Sequence, residues 1–221
     1  MTGAVRPSTQ DIDRGILDAA ARTFAVHGYA KTSVQQLADA VGYSKAGLLH
    51  RFPSKRALHD AALGQAADVL DEILDGPADG TAELDPAART RATLERVAAR
   101  ALDRPGLVHL LVASIRPGAP GPSALHARLL RLVALLHGGD PAPADAADAA
   151  DAADAADPAD PAVAVARLRA VLALRLVVDA VLAQDDPLLR VDRARLQPLV
   201  VDLAAGVLAA PAPVPPSGRR P

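Results

Sequence analysis

The sequence predicts an all-α protein, and three observations carry that expectation. Alanine, leucine and valine dominate an apolar content of 50%, while Phe, Tyr and Trp together make up 2%. The bias favours helix, because the aromatics that prefer strands are missing. Apolar residues recur at helical spacing, and start and stop signals punctuate them at intervals that suit short helices. A length of 221 residues fits one domain or two small ones, and this much apolar material is ample for a buried core.

The first helix is expected from about Thr9 to His27, where Ile12, Ile16, Ala20 and Phe24 repeat at i+4 and Leu17 widens the stripe. Gly28 then supplies a left-handed residue to end it. The second helix starts at Ser33, whose hydroxyl caps while Gln36, three residues on, completes a capping box. Its inner face is Val34, Leu37, Ala38 and Val41, and Gly42 breaks it. Ser44 caps a third, short helix through Leu48, Leu49 and Phe52. Pro53 stops that run, and Ser54 caps a fourth helix reaching roughly Leu74.

Beyond this the pattern stays helical. Asp85 and Pro86 form an N-cap and N1 pair for a helix to about Leu102. A short helix from Leu107 to Ile115 sits between Pro105 and Pro117, and another runs from Ser123 to His137 ahead of Gly138 and Gly139. Two more, about Ala162 to Gln184 and Asp192 to Ala209, are rich in Leu and Val on more than one face. Such helices are buried against two neighbours, which makes them the candidates for pairing two copies of the chain. The total is about nine helices.

Residues 140–161 differ. Asp145, Asp148, Asp151, Asp154 and Asp157 recur every third residue in alanine, with prolines at both ends. Three-residue steps spiral around a helix and leave no constant apolar face, so the expectation is a solvated linker, or else a frayed, exposed Ala-rich helix. The proline-rich stretch 211–221 reads as a disordered, extended tail. The organisation expected is therefore a helix-turn-helix domain over 1–53, a helical domain over 54–210 containing the linker, and the tail.

Several function classes fall away on composition. There is no cysteine, which removes disulfides, thiolate metal sites and cysteine nucleophiles, and suits a reducing cytosol. The N-terminus lacks a signal-peptide pattern, and the apolar run near Val163 to Leu182 is interrupted by Arg167, Arg169, Arg175 and Asp179, so a soluble, cytoplasmic protein is expected. Net charge is −2, yet residues 1–60 carry eight Lys and Arg against five Asp, and the remainder sixteen against twenty-one acids. A basic head thus sits on an acidic body. All three lysines and all four aromatics (Phe24, Tyr29, Tyr43 and Phe52) lie in that head.

The informative segment runs from Thr32 to Lys55. Two short helices meet at a tight turn at Gly42, with Ala38 small where they cross, which is the geometry of a helix-turn-helix. The second helix, opened by Ser44, is the expected reader. Between Ser44 and His59 stand four cations, Lys45, Arg51, Lys55 and Arg56, and no acid, a distribution suited to phosphates. Gly47 lets the helix backbone approach a duplex closely. Capping alone also accounts for Thr32 and Ser33 as helix-start residues, Tyr43 has packing on its own domain as an alternative, and Phe24, Leu37, Leu48 and Phe52 are assigned to the core.

These residues resemble the TetR family of tetracycline-repressor-like regulators. The likeness covers roughly Ile12 to Leu63. It includes Ile16-Leu17-x-Ala-Ala, Phe24-x-x-x-Gly28, the Thr32 to Lys55 segment and Lys55-x-x-Leu58. The tyrosine of the family signature is Leu49 here, followed by His50. The resemblance implies a homodimeric, ligand-responsive repressor of a near-palindromic operator, paired through its last two helices. Thr32, Ser33, Tyr43, Lys45, His50 and Lys55 would touch the DNA backbone, either His50 or Arg51 taking the contact of the missing tyrosine. Lys45, Ala46 and Gly47 would lie nearest the base edges, on the helix opened by Ser44.

The C-terminal half carries no comparable signature. His109, Arg116, His126 and His137 are the candidate ligand-facing residues. Their spacing suits no metal, and no cofactor is expected. A pocket without aromatics suits an apolar or amphipathic small molecule. The alternatives are a small-molecule binding protein or enzyme reusing the fold, although no catalytic grouping is visible, and an architectural DNA binder, which the acidic body disfavours.

Overall fold

The computed structural model describes residues 8–75, 85–115, 123–137, 160–184, 186 and 191–210. Among them are nine helices and no strand: α1 (Thr9–His27), α2 (Val34–Val41), α3 (Lys45–Arg51), α4 (Lys55–Leu74), α5 (Pro86–Asp103), α6 (Pro105–Ala113), α7 (Ser123–Leu136), α8 (Pro161–Leu182) and α9 (Arg193–Ala209). The Ala/Asp-rich segment up to position 159, Arg116 and the 211–221 tail lie outside the described residues.

Local chemistry sets the boundaries. Ser8 caps α1 in a box with Asp11, and Ser33 caps α2 in a box with Gln36. Ser44, Ser54 and Asp85 accept from the backbone N–H three residues on, while Asp160 and Asp192 accept from the one two residues on. Gly42 ends α2 in the left-handed region (φ 71°, ψ 28°), as its sequence position implies. Gly28 departs from expectation. Its φ is positive (78°) but its ψ is 152°, so the chain leaves α1 extended rather than coiling on. Its carbonyl instead accepts from Thr32 N–H and Thr32 Oγ1.

Helix α6 begins two residues earlier than expected, because Pro105 fits the first helical position. It is buried along most of its length and packs against α1, α4, α5 and α8. Helix α1 packs in turn on α2 and α4 through Ile16, Leu17, Ala20, Ala21 and Phe24. The N-terminal three-helix unit and the C-terminal bundle therefore share a core, joined at α1, α4 and α6.

Helices α8 and α9 pack on each other over α5. They bury Leu174, Val177, Val178, Val200 and Val201, yet leave Leu168 59%, Leu172 48%, Leu199 46% and Leu203 52% exposed. Pro198 stands inside α9, where it forfeits one backbone bond. Among the described residues, no helix is long and apolar enough to cross a membrane.

Candidate nucleic-acid interface

The turn between α2 and α3 spans Gly42 to Ser44, closed by Tyr43 N–H donating to the Ala38 carbonyl at 2.9 Å. Leu37, Ala38 and Leu48 are buried and fix the crossing of the two helices. Tyr43 and Phe52 pack, half-buried, against the same core. Ser44 Oγ accepts from Gly47 N–H at 3.0 Å. A Cβ on Gly47 would lie 3.1 Å from that Oγ and 3.7 Å from the Tyr43 ring. The glycine therefore leaves room for the helix's own cap as well as thinning the surface it presents.

Ser33, Ser44, Lys45, Ala46 and His50 are exposed, and together they make the outward face of the motif. Three other expected contacts are engaged inside the protein. Thr32 is buried, its hydroxyl donating to the Gly28 carbonyl at 2.8 Å. Arg51 donates through Nε to the Asp13 carboxylate and through Nη2 to the Thr9 carbonyl at 3.2 Å. That pairing raises the guanidinium pKa further above its usual value. Lys55 Nζ donates to the carbonyls of Tyr29 at 2.9 Å and Thr32 at 3.0 Å, and sits 4.3 Å from the centre of the Tyr29 ring.

Sequence reasoning missed the partners in these contacts. Asp13 and Thr9 tie the end of α3 to the start of α1 across some forty residues of chain. His59 packs edge-on to Phe24, with ring centres 4.8 Å apart, and 4.7 Å from Tyr29. Burial pushes its pKa below the usual imidazole range, Asp60 opposing and Lys55 assisting. Its place one helical turn after Lys55 is the sequence signal that could have found it.

Of the expected ligand-facing residues, three lie among the described residues. His109 is half-buried on α6 and His126 is exposed on α7. His137, at the end of α7, lines a partly open groove of about 460 Å³ with Arg91, Arg169, Leu136 and Leu208.

Residues 16–62 match the family model described as bacterial regulatory proteins, tetR family. The chain is 45% identical over 56 residues to the HTH-type transcriptional regulator RutR of Escherichia coli strain K12, covering 25% of this chain and 26% of that protein. It is 47% identical over 45 residues to the HTH-type transcriptional repressor Rv1474c of Mycobacterium tuberculosis, covering 20% and 24%. The chain thus spans about a quarter of the length of the curated relatives it matches. Among solved structures, SCO3833 of Streptomyces coelicolor A3, a member of the TetR transcriptional regulator family, is similar with a TM-score of 0.53. That match covers 95% of this chain and 94% of that one at 24% identity, a likeness of fold. Residues 16–62, which build the helix-turn-helix, are thus those of the tetR family of bacterial regulatory proteins, and beyond them the likeness is one of fold.

Proposed function

We propose that the protein is a transcriptional repressor that binds a near-palindromic operator as a homodimer and is released by a small apolar or amphipathic molecule. The observation that carries the reading is the α2–turn–α3 unit, whose short second helix is capped, anchored by Leu48 and turned outward through Lys45, Ala46 and His50. In this reading Lys45, Ala46 and Gly47 approach base edges in a major groove. Ser33, Ser44, Tyr43 and His50 meet the strands beside it, and Thr32, Arg51 and Lys55 meet them while remaining bonded within the domain. The exposed leucines of α8 and α9 support pairing of two chains through those helices, which sets two readers about one DNA turn, ~34 Å, apart. The named relatives, a regulator and a repressor, agree with this reading.

The test is a gel-retardation and footprinting experiment on DNA flanking the protein's own gene. A short protected palindrome, weakened by Lys45→Ala, is the expected result. Failure of the unliganded protein to retard that DNA in dilute buffer overturns the reading, and uniform coating would instead indicate an architectural binder.

A further inference from the structure

The first turn of α6 has no cap from its own neighbourhood. Arg104 occupies the N-cap position and its side chain makes no capping bond, and Pro105 has no N–H to satisfy. Val108 N–H finds the Arg104 carbonyl at 3.2 Å. The two donors left over, Gly106 N–H and Leu107 N–H, both go to one carboxylate on another helix. Asp18 of α1 accepts from Gly106 through Oδ2 at 3.2 Å and from Leu107 through Oδ1 at 3.1 Å. A helix in the C-terminal half is therefore capped by a residue of the N-terminal unit, 88 positions away.

The surroundings make this joint close and directional. A Cβ on Gly106 would fall 1.9 Å from the Asp18 carbonyl oxygen and 3.1 Å from the Arg22 nitrogen, so only glycine lets α6 approach the α1 backbone this nearly. Arg104 closes the other side. Its Nη2 donates to Gln65 of α4 at 2.5 Å and its Nε lies 3.9 Å from Asp18 Oδ1, with both charged side chains largely buried. Burial raises the Asp18 pKa, with the two backbone N–H groups and Arg104 opposing that rise.

Helix α1 carries a second tie on an adjoining turn. Five residues before Asp18 stands Asp13, which with the Thr9 carbonyl holds Arg51 at the end of α3. One continuous helix thus joins the α6 cap to the reader helix, the two attachment points separated by about 7.5 Å of rise.

From this arrangement, and resting on the DNA-binding reading above, we propose that Asp18 is a positioning residue. Its carboxylate fixes the start of α6 to α1, so that displacement of α6 turns α1 and, through Asp13 and Arg51, tilts α3. Linkage makes the coupling reciprocal: seating α3 on DNA must steady the first turn of α6.

Hydrogen exchange on the full chain, with and without a saturating duplex from its own promoter region, reads this directly. In the unaltered protein, DNA is expected to slow exchange of the Gly106 and Leu107 amides about tenfold, within the range ordinary couplings span. In Asp18→Asn, which retains a single acceptor oxygen, that DNA-linked slowing should fall below about twofold, while α2 and α3 stay protected by DNA. Asp103→Asn, at an exposed neighbouring ion pair, should behave as the unaltered protein does. A merely structural Asp18 would shift exchange equally with and without DNA, and that result overturns the proposal, as does undiminished slowing in Asp18→Asn. Unaltered protein that retards DNA with no change at these amides overturns the coupling and leaves the DNA-binding reading standing. Absence of retardation overturns both. If Asp18→Asn fails to fold, Asp18→Ser, whose hydroxyl is too short to span both amides, is read by the same criteria.

Discussion

At Lys55 a single ammonium closes a loop. It gathers the Tyr29 and Thr32 carbonyls just ahead of the Ser33 cap, and so holds the approach to α2. Lys55→Met keeps the apolar stem but leaves both carbonyls without their donor, which should cost about 1 kcal/mol in a half-exposed setting. The same change should weaken binding to every sequence and reduce the salt slope by about one unit. Denaturant midpoints and salt-titrated DNA binding measure the two effects separately. His59, stacked in the same cluster, responds to acid. Because its folded pKa is lowered, the unfolded chain binds more protons as pH falls through about 6.5, and stability drops until pH passes below the folded value. Urea midpoints taken between pH 7.5 and 5.5 should therefore fall with pH, and His59→Phe should remove that part of the dependence. An unchanged slope in His59→Phe contradicts this assignment.

Helix α3 has seven residues, too few to persist alone in water. Its structure is held by Ser44 at one end, Leu48 in the core and Arg51 at the other end. Ser44→Ala should cost about 1 kcal/mol, concentrated on this element. Exchange of α3 amides should quicken while those of α1 and α4 do not, and specific DNA binding should weaken more than non-specific binding. Elements of this kind were legible in the sequence, because capping is written within four residues: Ser33 with Gln36, Ser44 ahead of Gly47, Asp85 with Pro86. What was not legible is every partner supplied from afar. Arg51 and Lys55 read as free cations until α1 and the residue 29–32 turn fold against them, and no local pattern shows that Asp18 caps α6. Gly28 is legible as a helix end, whereas the bond its carbonyl accepts from the Thr32 hydroxyl is not.

In the whole molecule, four of the large apolar side chains left exposed among the described residues are leucines of α8 and α9. Scattered leucines are ordinary on a soluble protein, and it is the grouping of four on one packed helix pair that supports the dimer interface proposed above. Leu168→Lys combined with Leu203→Lys should yield a monomer by light scattering, with little loss of secondary structure. Operator affinity should then fall steeply, since each half-site would be bound alone. A dimer that survives both charges places the interface elsewhere. The two apolar faces of the last helices were readable from leucine and valine content, whereas burial of α6 on four sides follows from how the other helices wrap it.

The outward positions of α3 contribute little to the fold. Lys45, Ala46 and His50 are exposed, and the described side-chain hydrogen bonds that hold this helix in place are those of its cap Ser44 and its last residue Arg51. In the proposed reading, sequence preference and foldedness reside on different side chains of one seven-residue helix. On that reading, duplicated copies would reach new target sites by exchanging those three residues while the scaffold beneath them stays untouched.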